Sequence, residues 1–228
     1  MRFLLGLLLL FGQQLAVADL ESVNSASAGV FVFDDNNENT ASGSGFFVSD
    51  EGHLVTNHHV IENGTGFLLM GPGLKEITAA EVVWSNESLD LALMKVSSPV
   101  NQLPRGLPLY SGAVFKTIDV YTYGYPGTQF ELQRDMVGSY QGFVEPTVSK
   151  GIVSRVWLDD SVEWIQHSAE VRTGNSGGPL VNECGLVFGV NTAITIHGEA
   201  EKDNFAVSVR ELISVLGDRV PGLRTAAS

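Results

Sequence analysis

Positive charge, cysteine and long apolar runs are all scarce in this chain. Thirteen Lys and Arg residues stand against 26 Asp and Glu residues, which gives a formal net charge of −13 at pH 7. A negative field of this kind disfavours binding to nucleic acid or to an anionic membrane surface. Cys184 is the only cysteine. No disulfide can therefore form within the chain, and we expect an inert, partly buried thiol.

The apolar run at the N-terminus, Phe3 to Phe11, is too short to span a bilayer. It follows Met1-Arg2 and precedes Ala16-Val17-Ala18, which has the small-residue spacing of a signal-peptidase site. We expect residues 1–18 to be a secretory signal peptide that is removed after Ala18, with a retained membrane anchor as the alternative. The mature protein would then be periplasmic or secreted, with no stable membrane insertion.

Glycine is abundant, and it surrounds one serine in Gly174-Asn175-Ser176-Gly177-Gly178. Glycines allow a tight turn and a close approach of the backbone to a substrate. Such a turn can present the serine hydroxyl beside two backbone N–H groups, those of Gly174 and Ser176, aimed at one point. Converging donors next to a nucleophile make an oxyanion hole. Taken alone, the same letters also fit an ordinary glycine-rich loop.

A serine nucleophile needs a base, and the base needs a group that orients it. The chain has only five histidines, two of them in Thr56-Asn57-His58-His59-Val60. Asp90 opens the apolar run that continues to Val96, where a lone buried carboxylate would be costly. A structural cap of the strand is the usual explanation for such an aspartate. The order His59, Asp90, Ser176 is that of the chymotrypsin-type triad and favours catalysis instead.

Five motifs in order resemble the protease domain of the HtrA/Deg family. They are Gly43-Ser44-Gly45-Phe46-Phe47-Val48, Thr56-Asn57-His58-His59-Val60, Asp90-Leu91-Ala92-Leu93, Ser149-Lys150-Gly151-Ile152-Val153-Ser154 and Gly174-Asn175-Ser176-Gly177-Gly178-Pro179-Leu180. The resemblance spans about residues 29 to 210. It implies an endopeptidase that acts on protein or peptide substrates and needs neither metal nor cofactor.

The same resemblance assigns roles to single residues. His59, which directly precedes Val60, matches the base, Asp90 the orienting acid and Ser176 the nucleophile. The N–H groups of Gly174 and Ser176 match the oxyanion hole. Candidates for the substrate pocket are Glu170, Phe205, Ala206 and Val207.

Two features depart from the family pattern. Arg172-Thr173 stands where the family usually has Asn-Pro, which leaves the shape of the pocket open. The chain ends at Ser228, so we expect a protease domain without the usual PDZ domain. Family members are often trimers held by N-terminal contacts. The segment from Asp19 to Ala28 is short, so both monomer and homotrimer remain open.

The resemblance and the strand pattern agree on an all-β fold. Short apolar runs, from Gly29–Phe33 to Phe205–Val209, alternate with turn residues. The family fold is a chymotrypsin-like double β-barrel of two six-stranded antiparallel barrels. We expect residues 19–228 to form this one protease domain, with a linker at about 97–111. A short C-terminal helix is predicted with Ser208 as its N-cap, Glu211 as capping-box partner and Gly217 as its stop.

Other interpretations are weaker. Gly174-x-Ser176-x-Gly178 also satisfies the elbow of α/β-hydrolases, but only His197 follows it and strand–helix alternation is lacking. His53, His58 and His59 suggest a metal site, yet adjacent residues of a strand point to opposite faces. We therefore predict no metal and take His58 as a structural neighbour of the base. A silent peptide-binding or chaperone-like homologue remains the alternative function, although the intact triad argues against it.

Two features bear on specificity. The segment from Gly127 to Pro146 is an insertion relative to the family and is expected to form a functional loop or a hairpin. Glu170 lies six residues before Ser176, where trypsin-like proteases place the acid of the primary pocket. An acid there would attract Arg or Lys. Alternatively Glu170 pairs with Arg172 or faces solvent, and the pocket prefers aliphatic side chains.

Overall fold

The computed structural model describes residues 19–97, 99–100, 102–126, 145–192 and 204–227. The predicted signal peptide, His197 and almost all of the predicted insertion, from Gly127 to Val144, lie outside these ranges. No helix of the described residues is long and apolar enough to cross a membrane.

Strands dominate the structure. They are β1 (Ser27–Phe33), β2 (Asn39–Phe47), β3 (His53–Thr56), β4 (Gly66–Met70), β5 (Thr78–Asn86), β6 (Leu91–Val96), β7 (Leu109–Tyr110), β8 (Asp119–Gly124), β9 (Thr147–Asp159), β10 (Val162–His167), β11 (Pro179–Val181), β12 (Val187–Thr192), β13 (Asn204–Ser208) and β14 (Thr225–Ala226). The helices are α1 (Leu20–Ala26), α2 (His58–Ile61) and α3 (Val209–Leu216).

The first six strands close into a barrel in the order β1-β2-β3-β6-β5-β4. Every neighbouring pair is antiparallel. The apolar side chains of these strands fill the interior, and Phe46, Leu54 and Leu93 are among those that are buried. Closure leaves no free sheet edge.

The second barrel is formed by β11, β8, β9, β10, β13 and β12, and the pairing of β11 with β12 closes the ring. Its six neighbouring pairs are antiparallel. β7 and β14 add parallel to one side of it. The prediction of two six-stranded antiparallel barrels is therefore confirmed. The interior contains Val153, Ile165 and Ala206.

The predicted C-terminal helix is present as α3. Its N-cap is Ser208, whose hydroxyl accepts the N–H of Arg210 at 3.3 Å. Glu211 does not complete the capping box, because its carboxylate accepts the N–H of Glu163 at 3.3 Å instead. A helix that the sequence did not predict, α1, is capped by Asp19, which accepts the N–H of Ser22 at 2.8 Å.

Candidate active site

The three residues predicted to catalyse the reaction lie on three separate segments. His59 is in the first turn of α2, directly after β3, and Asp90 ends the turn before β6. Ser176 lies in the turn before β11 of the second barrel. The two barrels meet here, because the N–H of Ser44 on β2 donates to the carbonyl of Ser176 at 2.8 Å.

His59 is held by Asp90 through three contacts. Its Nδ1 lies 2.9 Å from both carboxylate oxygens of Asp90, and its backbone N–H donates to Oδ1 at 3.0 Å. The hydroxyl of Thr192 donates to Oδ2 at 3.0 Å. The carboxylate therefore fixes both the position and the orientation of the imidazole, whose Nε2 is the nitrogen left for a substrate or nucleophile.

Asp90 is itself fixed through its backbone. Its φ of 51° is in the left-handed region, which aspartate tolerates better than most residues. The side-chain amide of Asn57 donates to the carbonyl of Asp90 at 2.8 Å, and the N–H of Asp90 donates to the carbonyl of Glu87 at 3.0 Å. Asn57 is fully buried. Asn57, directly before α2, thus anchors the acid, and His59, inside α2, is oriented by it.

The environment raises the pKa of His59 above its ordinary value of 6.5. The largest cause is the hydrogen bond to Asp90, followed by the opposing effect of burial and the attraction of the charges of Asp90 and Glu62. A more basic imidazole accepts a proton more readily. It also remains protonated, and so unable to act as a base, to a higher pH.

The turn that carries Ser176 requires its glycines. Gly174 and Gly177 have φ angles of 98° and 88°, which residues with a Cβ rarely adopt. A Cβ on Gly177 would overlap the carbonyl oxygen of Ser44 and the hydroxyl of Thr56, and one on Gly178 would overlap the backbone of Tyr123. The glycine frame seen in the sequence therefore has a steric cause.

Ser44 ties this turn to the first barrel. Its hydroxyl donates to the carbonyl of Gly174 at 2.6 Å and accepts the N–H of Tyr125 at 2.9 Å. The N–H of Gly174 has no hydrogen-bond partner among the described residues, so it is available to a bound group. The turn is thus held by side-chain and backbone bonds that leave this donor open, as an oxyanion hole requires.

His58 and His59 do not lie on a strand, which corrects the premise on which the metal site was set aside. They begin the short helix α2. Among the described residues, His58 has its ion-pair contact with Glu62 and not with Asp90: its Nε2 lies 3.9 Å from Oε2 of Glu62, and its Nδ1 is buried without a partner. Within the described ranges, no group of three or more His, Cys, Asp or Glu residues could hold a metal ion.

Glu170 lies on the wall of a cavity of about 460 Å³, which Pro126, Ser149 and Arg172 also line. Its carboxylate is 2.9 Å from Nε of Arg172, and the side chains of Glu170 and Arg172 are 61% and 68% exposed. This is the arrangement of the alternative in which Glu170 pairs with Arg172. Such an exposed pair contributes little to stability.

The other three candidates for the substrate pocket are buried on β13. Ala206 faces the interior of the second barrel with Ile165. Phe205 makes an edge-on contact with Trp157, with ring centroids 5.8 Å apart, and Val207 belongs to the main core. These adjacent residues therefore do not share one face.

Sequence reasoning missed two residues that organise the site. Ser44 lies between Gly43 and Gly45, in a motif that stands out only by its resemblance to the family, and glycines on both sides of a serine were the available signal. Thr192 offers no such signal, because a threonine at the end of an apolar strand is common in any sheet.

Comparison with known proteins identifies relatives of this chain. The profile of the trypsin-like peptidase domain family matches residues 43–190. A protein of Chlamydia muridarum named as a probable periplasmic serine endoprotease, DegP-like, is 32% identical over 159 residues, which are 67% of this chain and 28% of the relative. This chain spans between 23% and 35% of the length of the first curated relatives that it matches.

Solved structures of two serine proteases share the fold of this chain. The serine endoprotease from Yersinia pestis superposes with a TM-score of 0.68 at 25% identity, covering 90% of this chain and 66% of that one. The HtrA-type protease AlgW, solved with a tripeptide, gives a TM-score of 0.70 at 25% identity and covers 89% of this chain and 62% of its own.

Proposed function

The chain belongs to the trypsin-like peptidase domain family, and from that premise we propose that it is an HtrA-type serine endopeptidase that hydrolyses peptide bonds of proteins. The observation that carries the proposal is the grip of Asp90 on His59: two carboxylate oxygens at 2.9 Å from Nδ1 and a third bond to the backbone. A histidine held in this way acts as a general base through Nε2.

The reaction proceeds in two steps. Ser176 Oγ attacks the carbonyl carbon of the scissile bond while Nε2 of His59 takes its proton, and the N–H groups of Gly174 and Ser176 stabilise the negative oxygen. The C–N bond then breaks, and His59 returns the proton to the leaving amine. In the second step His59 takes a proton from a water molecule whose oxygen attacks the acyl carbon. The ester C–O bond then breaks, and His59 returns the proton to Oγ of Ser176, which restores the free enzyme. Asp90 keeps Nδ1 protonated and stabilises the imidazolium throughout.

The proposal also covers the bounds of the protease domain and the location of the enzyme. Residues 19–228 form one protease domain that follows a signal peptide cleaved after Ala18, and the enzyme works in the periplasm or outside the cell. The periplasmic DegP-like relatives support this location. N-terminal sequencing of the protein purified from a secreting host tests it, with Asp19 expected as the first residue.

A fluorophosphonate probe tests the activity, because it labels only an activated serine. We expect the wild type to be labelled and to cleave an unfolded protein such as casein. Ser176→Ala and His59→Ala should lose about 10⁴- to 10⁶-fold in kcat. His58→Ala is the matched control, since it removes the neighbouring imidazole that has no contact with Asp90. It should retain most of the activity.

Two results would contradict the proposal. A wild type that is folded by circular dichroism but neither labelled nor proteolytic would favour the silent peptide-binding homologue. An inactive His58→Ala beside an active His59→Ala would show that the roles of the two histidines are reversed.

A further inference from the structure

The strand β9 extends beyond its neighbour β10 at the end that lies near the turn of Ser176. β10 pairs with β9 only from Val153 to Asp159. β8 pairs with the other side of β9 from Thr147 to Ile152. Residues 147–151 of β9 are therefore covered by a described strand on one side only, and we call the other side of this stretch the open edge of β9.

The register decides which backbone groups face the open edge. The N–H of Ile152 donates to the hydroxyl of Ser168 at 3.0 Å, and the carbonyl of Ile152 accepts the N–H of Ser168 at 3.0 Å, so both groups of Ile152 point away from β8. Backbone groups alternate in direction along a strand, and no bulge interrupts the pairing from 147 to 152. The N–H and carbonyl groups of Lys150 and Val148 therefore point the same way, and none of these four groups has a hydrogen-bond partner among the described residues.

The segment that follows β10 does not cover the open edge. The N–H of Glu170 donates to the hydroxyl of Ser149 at 2.9 Å, and the hydroxyl of Thr122 donates to the carbonyl of Glu170 at 3.3 Å. Ser149 and Thr122 are partners in the pairing of β9 with β8, so their side chains lie on one face of the sheet. The segment therefore leaves the edge after Ser168 and crosses this face.

Side chains do not shield the open edge either. Val148 is 47% exposed. Lysines often protect strand edges from pairing with another chain, but Lys150 is held toward β8. Its Nζ lies 2.7 Å from a carboxylate oxygen of Asp119 and 5.4 Å from the ring centre of Tyr121. The open edge can thus accept a further strand.

The cavity of about 460 Å³ adjoins both the open edge and the turn of Ser176. Residues 147–149 line it from β9. Thr173 and Asn175 line it from the turn, one on each side of Gly174, whose N–H belongs to the proposed oxyanion hole. A chain that binds along the open edge therefore lies close to the reacting serine.

We propose that the open edge of β9 is a docking site for an extended segment of the substrate polypeptide, which adds to the sheet as a further strand at some distance from the scissile bond. The backbone groups of Val148 and Lys150 bind the backbone of that segment, as in other cases of strand addition to a sheet edge. The inference rests on the proposed endopeptidase function, because that function brings a polypeptide to this place.

The charges of the cavity favour recognition of the backbone over recognition of a side chain. Its charged lining residues are Glu170 and Arg172, which pair with each other. A charged side chain of the substrate would be attracted by one of them and repelled by the other. A strand edge requires only the N–H and carbonyl groups that every residue except proline carries. Docking should therefore depend on the length of the unfolded segment more than on its sequence.

Strand spacing sets the distance between the docked segment and the scissile bond. The turn of Ser176 lies against β8, since a Cβ on Gly178 would overlap the carbonyl of Tyr123. Neighbouring strands lie about 4.8 Å apart, so a strand beyond β9 would lie about 10 Å from β8. An extended chain advances about 3.3 Å per residue. About three to five residues should therefore separate the docked segment from the scissile bond.

A series of fluorogenic peptides tests the proposal: a short one, and versions extended by about six residues on one side of the scissile bond or on the other. We expect extension on one side to raise kcat/KM about tenfold in the wild type. Val148→Pro removes an N–H of the open edge without removing a bond to β8, so it should lose most of this gain and cleave the short peptide as the wild type does. Val148→Ala is the matched control, because it removes the exposed side chain and keeps the N–H, and it should retain the gain.

Methylation of single backbone nitrogens in the long peptide gives a second test, which needs only the wild type. Only every second residue of a docked strand donates its N–H to the edge. We therefore expect methylation to lower kcat/KM at alternate positions of the extension. If Val148→Pro does not fold, this pattern decides the question.

Fluorophosphonate labelling, run in parallel, separates the two proposals. An unlabelled wild type that cleaves none of the peptides would overturn the endopeptidase function, and the docking site with it. A labelled wild type that cleaves the short peptide but gains nothing from extension on either side would overturn the docking site alone. The same conclusion would follow if a folded Val148→Pro kept the whole gain, or if methylation had no alternating effect.

Discussion

Thr192 of the second barrel holds Asp90 of the first. Its hydroxyl donates to Oδ2 at 3.0 Å, on the carboxylate whose other contacts are to His59. The acid is thereby shared between a strand end of one barrel and a helix turn of the other. A change in the placement of one barrel relative to the other would therefore disturb the support of His59, the proposed base.

Thr192→Val should lower kcat about tenfold, which is the cost of one hydrogen bond to a charged group. The loss of a donor also makes Asp90 a stronger acceptor for His59, so the acid limb of the rate profile should move to higher pH. Thr192→Ser keeps the hydroxyl and should resemble the wild type in both respects. An unshifted profile in Thr192→Val, together with reduced thermal stability, would indicate a purely structural role.

The pH dependence follows from the raised pKa of His59. The base must be neutral, so kcat/KM should fall as the pH drops through a pKa above 6.5. Asp90→Asn removes the hydrogen bond and the charge that raise this pKa and leaves burial, which lowers it. The acid limb should therefore move to lower pH while kcat drops about 10⁴-fold. A limb that stays in place in Asp90→Asn would show that another group sets it.

Gly177→Ala should destabilise the protein by more than its backbone conformation alone explains. The φ of 88° costs an L-residue about 1–2 kcal/mol, and the added Cβ would also overlap Ser44 and Thr56. Gly222→Ala isolates the first effect, because Gly222 has a φ of 73° and a Cβ added there would meet nothing within 4 Å. Urea unfolding of both variants measures the difference. Equal losses in the free energy of unfolding would mean that the turn that carries Ser176 can relax around the added Cβ.

Much of the fold and of the candidate site could be predicted from the sequence because the signals were local. Alternating apolar runs indicated the strands of both barrels, and Ser208 with the apolar face after it indicated α3. The glycines around Ser176 are required by sterics that act within the turn and its immediate neighbours. Each of these patterns lies within a short stretch of consecutive residues and can be recognised there.

The remaining features depend on distant parts of the chain. Glu211 leaves the predicted capping box for the N–H of Glu163, which lies 48 positions away. Thr192 reaches Asp90 across 102 positions, and a threonine at a strand end has no motif. His167 has no motif either, so the sequence alone predicts a surface or pocket-wall residue. It is 2% exposed instead, because its burial is a property of the closed barrel. Contacts of this range appear only when the strands are assembled.

His167 should also make the fold sensitive to mild acid. The folded protein holds the pKa of this imidazole at about 4, whereas the unfolded chain has the ordinary value of 6.5. Between these values the unfolded state binds the extra proton, so the free energy of unfolding falls as the pH drops through this window. The largest effect, reached near pH 4, is on the order of 3 kcal/mol, since each pKa unit corresponds to about 1.4 kcal/mol.

His167→Leu abolishes this contribution, and its stability relative to the wild type should rise steadily from pH 7 to pH 4 in urea titrations. Gln166→Leu removes no titratable group, so its curve should run parallel to that of the wild type. A parallel curve for His167→Leu would mean that the barrel admits water or a counter-charge to the imidazole.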